Sequence, residues 1–232
     1  VIGVHANADE VADHAMALLL AATRLIVPMT RRTEIGNWSL LDATEIWQIP
    51  RLRGLTLGVV GAGHVGVRVA ERARAFGMLT IAATHRSPTD PQLRIVPLDE
   101  LVATADVIVL AASLTPANHH LFGADQFSRV KHGAVLVNIA RGKLIDEAAL
   151  ATALDEGRIS VAALDVRASE PPGPDDLLTG RPDVIQTPHI GGASASALAD
   201  THHLAAVAAL DLLQRAGRLA PPAPSTPIFQ NP

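Results

Sequence analysis

The chain has 232 residues, 48% of them hydrophobic and 18% charged, and its 23 acidic against 19 basic side chains give a formal charge of −4. That composition excludes a disordered chain, and the mildly acidic balance gives no footing for binding a phosphate backbone, so nucleic acid is not expected as a partner. There is no cysteine, which excludes disulfides, thiolate metal sites and cysteine nucleophiles and agrees with a cytoplasmic location. The longest apolar run, Ala15 to Ala22, is far short of the roughly 20 residues that span a bilayer, and no membrane partner is expected.

In chain order, Val1 to Val4 read as a strand already under way. The acidic pair Asp9 and Glu10 then introduces a helix over 11–24, VADHAMALLLAATR. Because that helix is apolar around much of its circumference, it is expected to be buried, in part against a second subunit of a homodimer. Residues 28–54 read as irregular, punctuated by Pro28, Gly36, Pro50 and Gly54, with Trp38 and Trp47 as packing anchors.

From Leu55 a regular alternation begins. Strands are expected over 56–61, 79–84, 106–112, 134–140, 159–166 and 184–187, with helices over 65–76, 98–104 and 147–156 between them. These strands are near-continuous runs of Val, Ile, Leu and Ala, the pattern of burial on both faces. Six of them with helical crossovers read as an α/β fold, a doubly wound parallel sheet of the Rossmann type. A last helix over 195–215 precedes a proline-rich tail at 221–227 that cannot continue it. The expected organisation is therefore a connecting and dimerisation segment at 1–50, a dinucleotide-binding domain at 51–192, and a C-terminal helix and tail at 193–232.

The segment TLGVVGAGHVGVRVA sets Gly61, Gly63 and Gly66 directly after a strand and at the start of a helix. The first glycine permits the tight turn, the second lets backbone approach a pyrophosphate, and the third allows helix and strand to pack closely. Such a turn can also be a mere chain reversal, but its strand–turn–helix setting favours a bound dinucleotide. An NAD site usually has a carboxylate about 20 residues on, to hold the ribose hydroxyls. Here that place is taken by Thr84, followed by His85, Arg86 and Ser87. Arg86 and Ser87 are suited to a 2′-phosphate, so NADP is expected in preference to NAD, unless Arg86 is only a solvated surface residue.

Taken together, the segments VADHAMALLLAATR, RGLTLGVVGAGHVG, VNIARGKLIDEAAL, VAALDV followed by SEPP, and TPHIGG make the chain resemble the D-isomer-specific 2-hydroxyacid dehydrogenases. The resemblance implies hydride transfer between NAD(P)H and a small 2-oxo acid, the D-2-hydroxy acid being the reduced form, with glyoxylate or hydroxypyruvate as the expected substrate class. It implies that Arg141 grips the substrate's carboxylate and carbonyl, that His189 is the general acid and base, and that Glu170 orients the imidazole and favours its protonated form. It further implies that His64 and Val65 offer backbone N–H groups to the pyrophosphate. Ile139 and Ala140 would line the nicotinamide pocket, and Asp165 would bind the carboxamide. The loop holding Ala112, Ser113 and Asn118, and the glycines Gly191 and Gly192, would complete the cofactor contacts. Singly, each catalytic candidate is open to a bland reading as a surface arginine, a loop-capping histidine or an exposed loop charge; jointly, just beyond successive strand ends, they read as a site.

The chain departs from the family pattern at Ser113, where proline is usual, at Thr84, where Asp is common, and in length. The N-terminal segment that builds most of the substrate domain does not precede the first helix. Val1 in place of an initiator methionine points to numbering that starts inside a longer protein; the other reading is a short, inactive relative. A dinucleotide-sensing interaction protein of the corepressor kind remains the alternative from a different functional class. The adjacent pairs His119-His120 and His202-His203 lack the spacing of a helical metal site, and no metal is expected. Ser194 and Ser196 read as helix-start residues.

Overall fold

A computed structural model describes residues 7–47, 49–85 and 89–215. The first helix, α1 (Ala8–Thr23), opens with Asp9 and Glu10 in its first turn and buries Ala8, Ala12, Ala15, Met16, Leu19 and Ala22, a stripe at three- and four-residue spacing. It packs on α4 (His64–Ala75) and on the sheet, and Arg68 and Arg72 of α4 bind Asp9 and Asp13 across the joint. The helix is buried as expected, and its buried face is covered by its own chain.

Residues 28–54 are not wholly irregular. They hold α2 (Ile26–Glu34) and α3 (Ala43–Trp47), neither of which buries a residue. The two tryptophans are not packing anchors here: Trp38 is 80% and Trp47 88% exposed, with Ile35 and Leu40 equally open. The helical periodicity of this arm is short and lies beside prolines and glycines, which hid it from the sequence.

Among the described residues, seven strands make one sheet in the order β3-β2-β1-β4-β5-β6-β7. They are β1 (Thr56–Val60), β2 (Leu79–Ala83), β3 (Arg94–Ile95), β4 (Val107–Leu110), β5 (Ala134–Asn138), β6 (Ile159–Leu164) and β7 (Val184–Gln186), and every neighbouring pair is parallel. The doubly wound sheet expected from the sequence is therefore present, with one strand more. Strand β3 is two exposed residues long, too short to leave a hydrophobic signal.

The core explains the uninterrupted apolar strands. Alternate residues feed two separate clusters, Ile108, Leu110 and Leu136 on one face, Val107, Val109, Val135 and Val137 on the other. Helices α5 (Leu98–Thr104), α6 (Ala124–Arg129) and α7 (Glu147–Asp155) cover the first face, whereas α1 and α4 cover the second. Helix α6 was not anticipated, since one turn and a half anchored by Phe127 shows little periodicity. The closing helix α8 (Ala195–Arg215) starts where expected: the Ser194 hydroxyl accepts the Ala197 N–H at 2.8 Å and donates to Glu10. Leu198, Leu204, Val207 and Leu210 on α8 are exposed. The N-terminal strand reading and the proline-rich tail fall outside the described residues.

Candidate active site

The sheet order reverses between β1 and β4, and in open α/β sheets ligands bind at the carboxyl ends of the strands at such a point. Gly61 leaves β1 at φ +98, and a Cβ on it would lie 2.6 Å from the Ala112 Cα in the loop after β4. A Cβ on Gly66 would lie 2.1 Å from the Gly61 carbonyl oxygen, so that position admits no side chain either. At Gly63, by contrast, nothing among the described residues stands within 4 Å of the added carbon. The turn therefore has two glycines compelled by packing and one facing open space at the N-terminus of α4, whose first turn carries no acidic residue. Two independent features thus suit a pyrophosphate: bare backbone and the positive end of a helix.

His64 is exposed and Val65 half-buried in that first turn, and Thr84 is half-buried just past β2, with His85 exposed beside it. Arg86 and Ser87 lie outside the described residues. After β4 the loop is closed on itself. Asn118 accepts the Thr115 N–H at 2.6 Å and donates to the Ser113 carbonyl at 2.9 Å, leaving Ser113 exposed. After β5, Ile139 and Ala140 are buried, and the buried Asn138 side chain bridges the Ala140 N–H and the Arg141 carbonyl at 3.0 and 3.1 Å. That bridge fixes the backbone from which the Arg141 side chain emerges.

Three strand ends converge on one pocket of about 240 Å³, lined by Arg141, Lys143, Arg167, Glu170 and His189 among others. Gly142 makes the convergence possible: a Cβ there would lie 1.8 Å from the Arg167 carbonyl carbon, so the loop after β5 touches the loop after β6 backbone to backbone. His189 Nδ1 stands 2.8 Å from Glu170 Oε2, and the other Glu170 oxygen accepts the Arg167 N–H at 3.0 Å. Burial works against the ionised form of Glu170, but the His189 hydrogen bond and the Arg167 N–H outweigh it and hold the carboxyl below the usual glutamate value. His189 itself has φ +55, a left-handed conformation that is uncommon outside glycine and costs energy unless its neighbours impose it.

Asp165 is what imposes it. The His189 N–H donates to the Asp165 carbonyl at 2.9 Å, and the buried Asp165 carboxylate accepts the Thr187 hydroxyl and the N–H groups of Ile190 and Gly191 at 2.6, 2.9 and 2.8 Å. A Cβ on Gly191 would strike that carboxylate at 2.8 Å, while Gly192 packs on Asn7. Asp165 thus spends most of its capacity organising the turn, with a single hydrogen bond on Oδ2. Sequence reasoning missed three residues that build this site: His14 and Thr187, which contact Asp165, and Arg167, whose guanidinium is sunk among carboxylates. A charged residue directly after the apolar run of β6 was the available signal for Arg167.

Comparison with known proteins agrees with this geometry. Residues 16–191 match the model of the "D-isomer specific 2-hydroxyacid dehydrogenase, NAD binding domain". Glyoxylate/hydroxypyruvate reductase B of Escherichia fergusonii is 37% identical over 210 residues, which cover 88% of this chain and 63% of that protein. Among solved structures, D-lactate dehydrogenase of Aquifex aeolicus, complexed with NAD and lactic acid, superposes with a TM-score of 0.84 at 28% identity, covering 91% of this chain and 68% of that one. An acyclic imino acid reductase in complex with NADPH and D-Arg has a TM-score of 0.83 at 28% identity, covering 90% and 66%. The chain therefore spans about two thirds of the length of these relatives. By the match of its sheet, its glycine turn and most of its length, the chain belongs to the D-isomer-specific 2-hydroxyacid dehydrogenase family, whose NAD-binding domain it carries.

Proposed function

We propose that the whole protein transfers a hydride between a nicotinamide dinucleotide and a small 2-oxo acid, interconverting it with the D-2-hydroxy acid. The observation that carries this reading is the 2.8 Å His189–Glu170 contact in a pocket shared with Arg141, on the same sheet edge as the Gly61–Gly66 turn. The dinucleotide, when bound, supplies hydride from its nicotinamide C4 to the carbonyl carbon. His189 donates the proton from Nε2 to the carbonyl oxygen and recovers it in the reverse direction. Glu170 holds Nδ1 protonated and offsets the imidazolium charge, which fixes the tautomer that puts the reacting proton on Nε2. The planar fork of Arg141 binds the substrate carboxylate and polarises the carbonyl, with Lys143 nearby adding positive field. Bare backbone at Gly63, His64 and Val65 holds the pyrophosphate.

NADP is favoured over NAD by the absence of a carboxylate at Thr84 and by Arg86 and Ser87 next to it, and relatives of this fold hold either NAD or NADPH. Glyoxylate or hydroxypyruvate is favoured as substrate by the printed activity of the Escherichia fergusonii relative. A homodimer in the cytoplasm is favoured by the apolar arm at 26–47, where Ile35, Trp38, Leu40 and Trp47 face outward together, and by a chain without cysteine.

The test is reduction of a panel of 2-oxo acids by NADPH and NADH with the whole protein. His189→Gln is expected to lower kcat by about 10²-fold or more, as loss of a positioned proton donor does. Arg86→Ala is expected to weaken NADPH more than NADH. Cofactor binding without turnover of any 2-oxo acid would overturn the dehydrogenase reading, and equal losses of both cofactors would overturn the 2′-phosphate assignment.

A further inference from the structure

Arg167 is 7% exposed and sits three residues before Glu170. All five of its guanidinium N–H groups have acceptors. The Nε and Nη2 groups fork onto Glu147, the first residue of α7, at 3.0 and 3.1 Å. Nη2 also binds Asp176 Oδ1, and Nη1 reaches Asp176 Oδ2 at 3.4 Å and Gln186 Oε1, on the last residue of β7, at 2.5 Å. The Ala168 N–H donates to the same Glu147 oxygen at 2.9 Å. One side chain therefore ties together the start of α7, the 173–183 segment, the end of β7 and the loop that carries Glu170. Gln186 is three residues before His189, so Arg167 holds Glu170 by its backbone N–H and the strand leading to His189 by its guanidinium.

We propose that Arg167 is a positioning residue for the His189–Glu170 pair, acting through its own backbone N–H on Glu170 and through Gln186 on the strand that leads to His189. The proposal rests on the reading of His189 as the proton donor. A neutral or shorter side chain at position 167 would leave Glu147 and Asp176 facing each other without the cation between them. The backbone N–H that fixes Glu170 Oε1 would then no longer be held in place. Lysine would keep the charge but not the fork, because three rotatable donors cannot reproduce two parallel bonds to Glu147 and three more to Asp176 and Gln186.

Among the described residues, the charged groups around His189 are few. They are Glu170 from the loop after β6, Arg141 and Lys143 from the loop after β5, Arg167 itself, and the buried Asp165, whose carbonyl accepts the His189 N–H. Of these only Glu170 bonds the imidazole ring, so a loosened Glu170 moves the proton equilibrium of His189 in one direction. With less carboxylate against it the imidazolium is less favoured, and reduction, which needs the protonated ring, fails at lower pH.

The experiment is the pH profile of kcat for 2-oxo acid reduction in the whole protein, with His189 titrated by NMR in the same variants. Arg167→Met is expected to lower kcat about tenfold or more and to move the alkaline limb, and the NMR midpoint, to lower pH. Arg167→Lys should recover part of both, and Glu147→Gln, which keeps the fold's cation, should move them the same way by less. In a Glu170→Gln background, Arg167→Met should add less than about twofold. If both Arg167→Met and Glu147→Gln reduce the rate or the stability yet leave limb and midpoint in place, Arg167 is only a structural clasp and the proposal falls. Full multiplication of the effects in the Glu170→Gln background also overturns it. Wild-type turnover retained by His189→Gln would sink the parent reading instead, and the NMR midpoint would still decide the positioning claim.

Discussion

Nε2 of His14, on the first helix, lies 3.2 Å from Oδ1 of the buried Asp165 and 2.9 Å from the Thr187 hydroxyl, so residues 151 apart in sequence share one hydrogen-bond cluster at the root of the His189 turn. Asp165 in turn satisfies the N–H groups of Ile190 and Gly191. Asp165→Ala removes the acceptor common to all of these and leaves them unpaired at a mostly buried site. It is expected to destabilise the protein by about 2–4 kcal/mol in urea unfolding. His14→Ala should cost about 1 kcal/mol in the wild type and much less in the Asp165→Ala background, because the two side chains share one cluster. Additive losses would show that the cluster does not act as a unit.

Two glycine substitutions should separate packing from binding. A methyl at Gly142 meets the Arg167 carbonyl carbon at 1.8 Å, so the two loops must part; Gly142→Ala is expected to cost about 2–4 kcal/mol and to lower turnover at least tenfold. A methyl at Gly63 meets nothing among the described residues within 4 Å, so Gly63→Ala should leave the melting temperature within a few degrees of wild type. Its cofactor affinity should nonetheless fall, by about tenfold or more, since the methyl occupies the approach to the pyrophosphate. Calorimetry and a dinucleotide fluorescence titration measure the two effects separately.

Acid should act on the Arg167 cluster. Burial opposes ionisation of Asp176, but the Arg167 guanidinium and Thr179 outweigh it and hold its carboxyl down to about 2, against 3.8 ordinarily. A carboxyl whose folded value is depressed contributes stability that is whole above its unfolded value and disappears as pH falls through the folded one. This contribution is therefore complete above about pH 4 and lost on the way down to about pH 2; Glu170, also depressed, works in the same sense. Urea midpoints measured from pH 7 to pH 2 should fall across that window, and Asp176→Asn should flatten the fall. An unchanged slope in that variant would locate the acid sensitivity elsewhere.

The arm at 26–47 exposes Trp38 and Trp47 by 80% and 88%, more than a monomer ordinarily leaves to water for two indoles. Sedimentation equilibrium of the whole protein should give a dimer, and Trp38→Ser combined with Trp47→Ser should shift it toward monomer by about tenfold or more in dissociation constant. A wild-type monomer at micromolar concentration would overturn the homodimer assignment.

The sheet was legible because its strands are buried on both faces, which leaves runs such as Val107–Leu110 and Ala134–Asn138 without polar interruption. The glycine turn was legible because Gly61 and Gly66 are compelled by contacts of 2.6 and 2.1 Å, and such contacts permit one residue type. The arm was misread because a tryptophan's size argues for burial while saying nothing about which chain buries it. Strand β3 and helix α6 escaped because two residues and six residues carry too little periodicity.

What the sequence alone determined is the order of six strands and the doubly wound class, since these depend on local pattern, whereas Arg141, Glu170 and His189 came together as a set only through the family resemblance of their segments. Only the tertiary structure decided that Gly142 brings two loops into backbone contact, that Asp165 bends the His189 turn, and that Arg167 and His14 stand behind the site. Those relationships join residues far apart in the chain, and a parallel sheet creates them only when its crossovers carry distant strand ends to one edge.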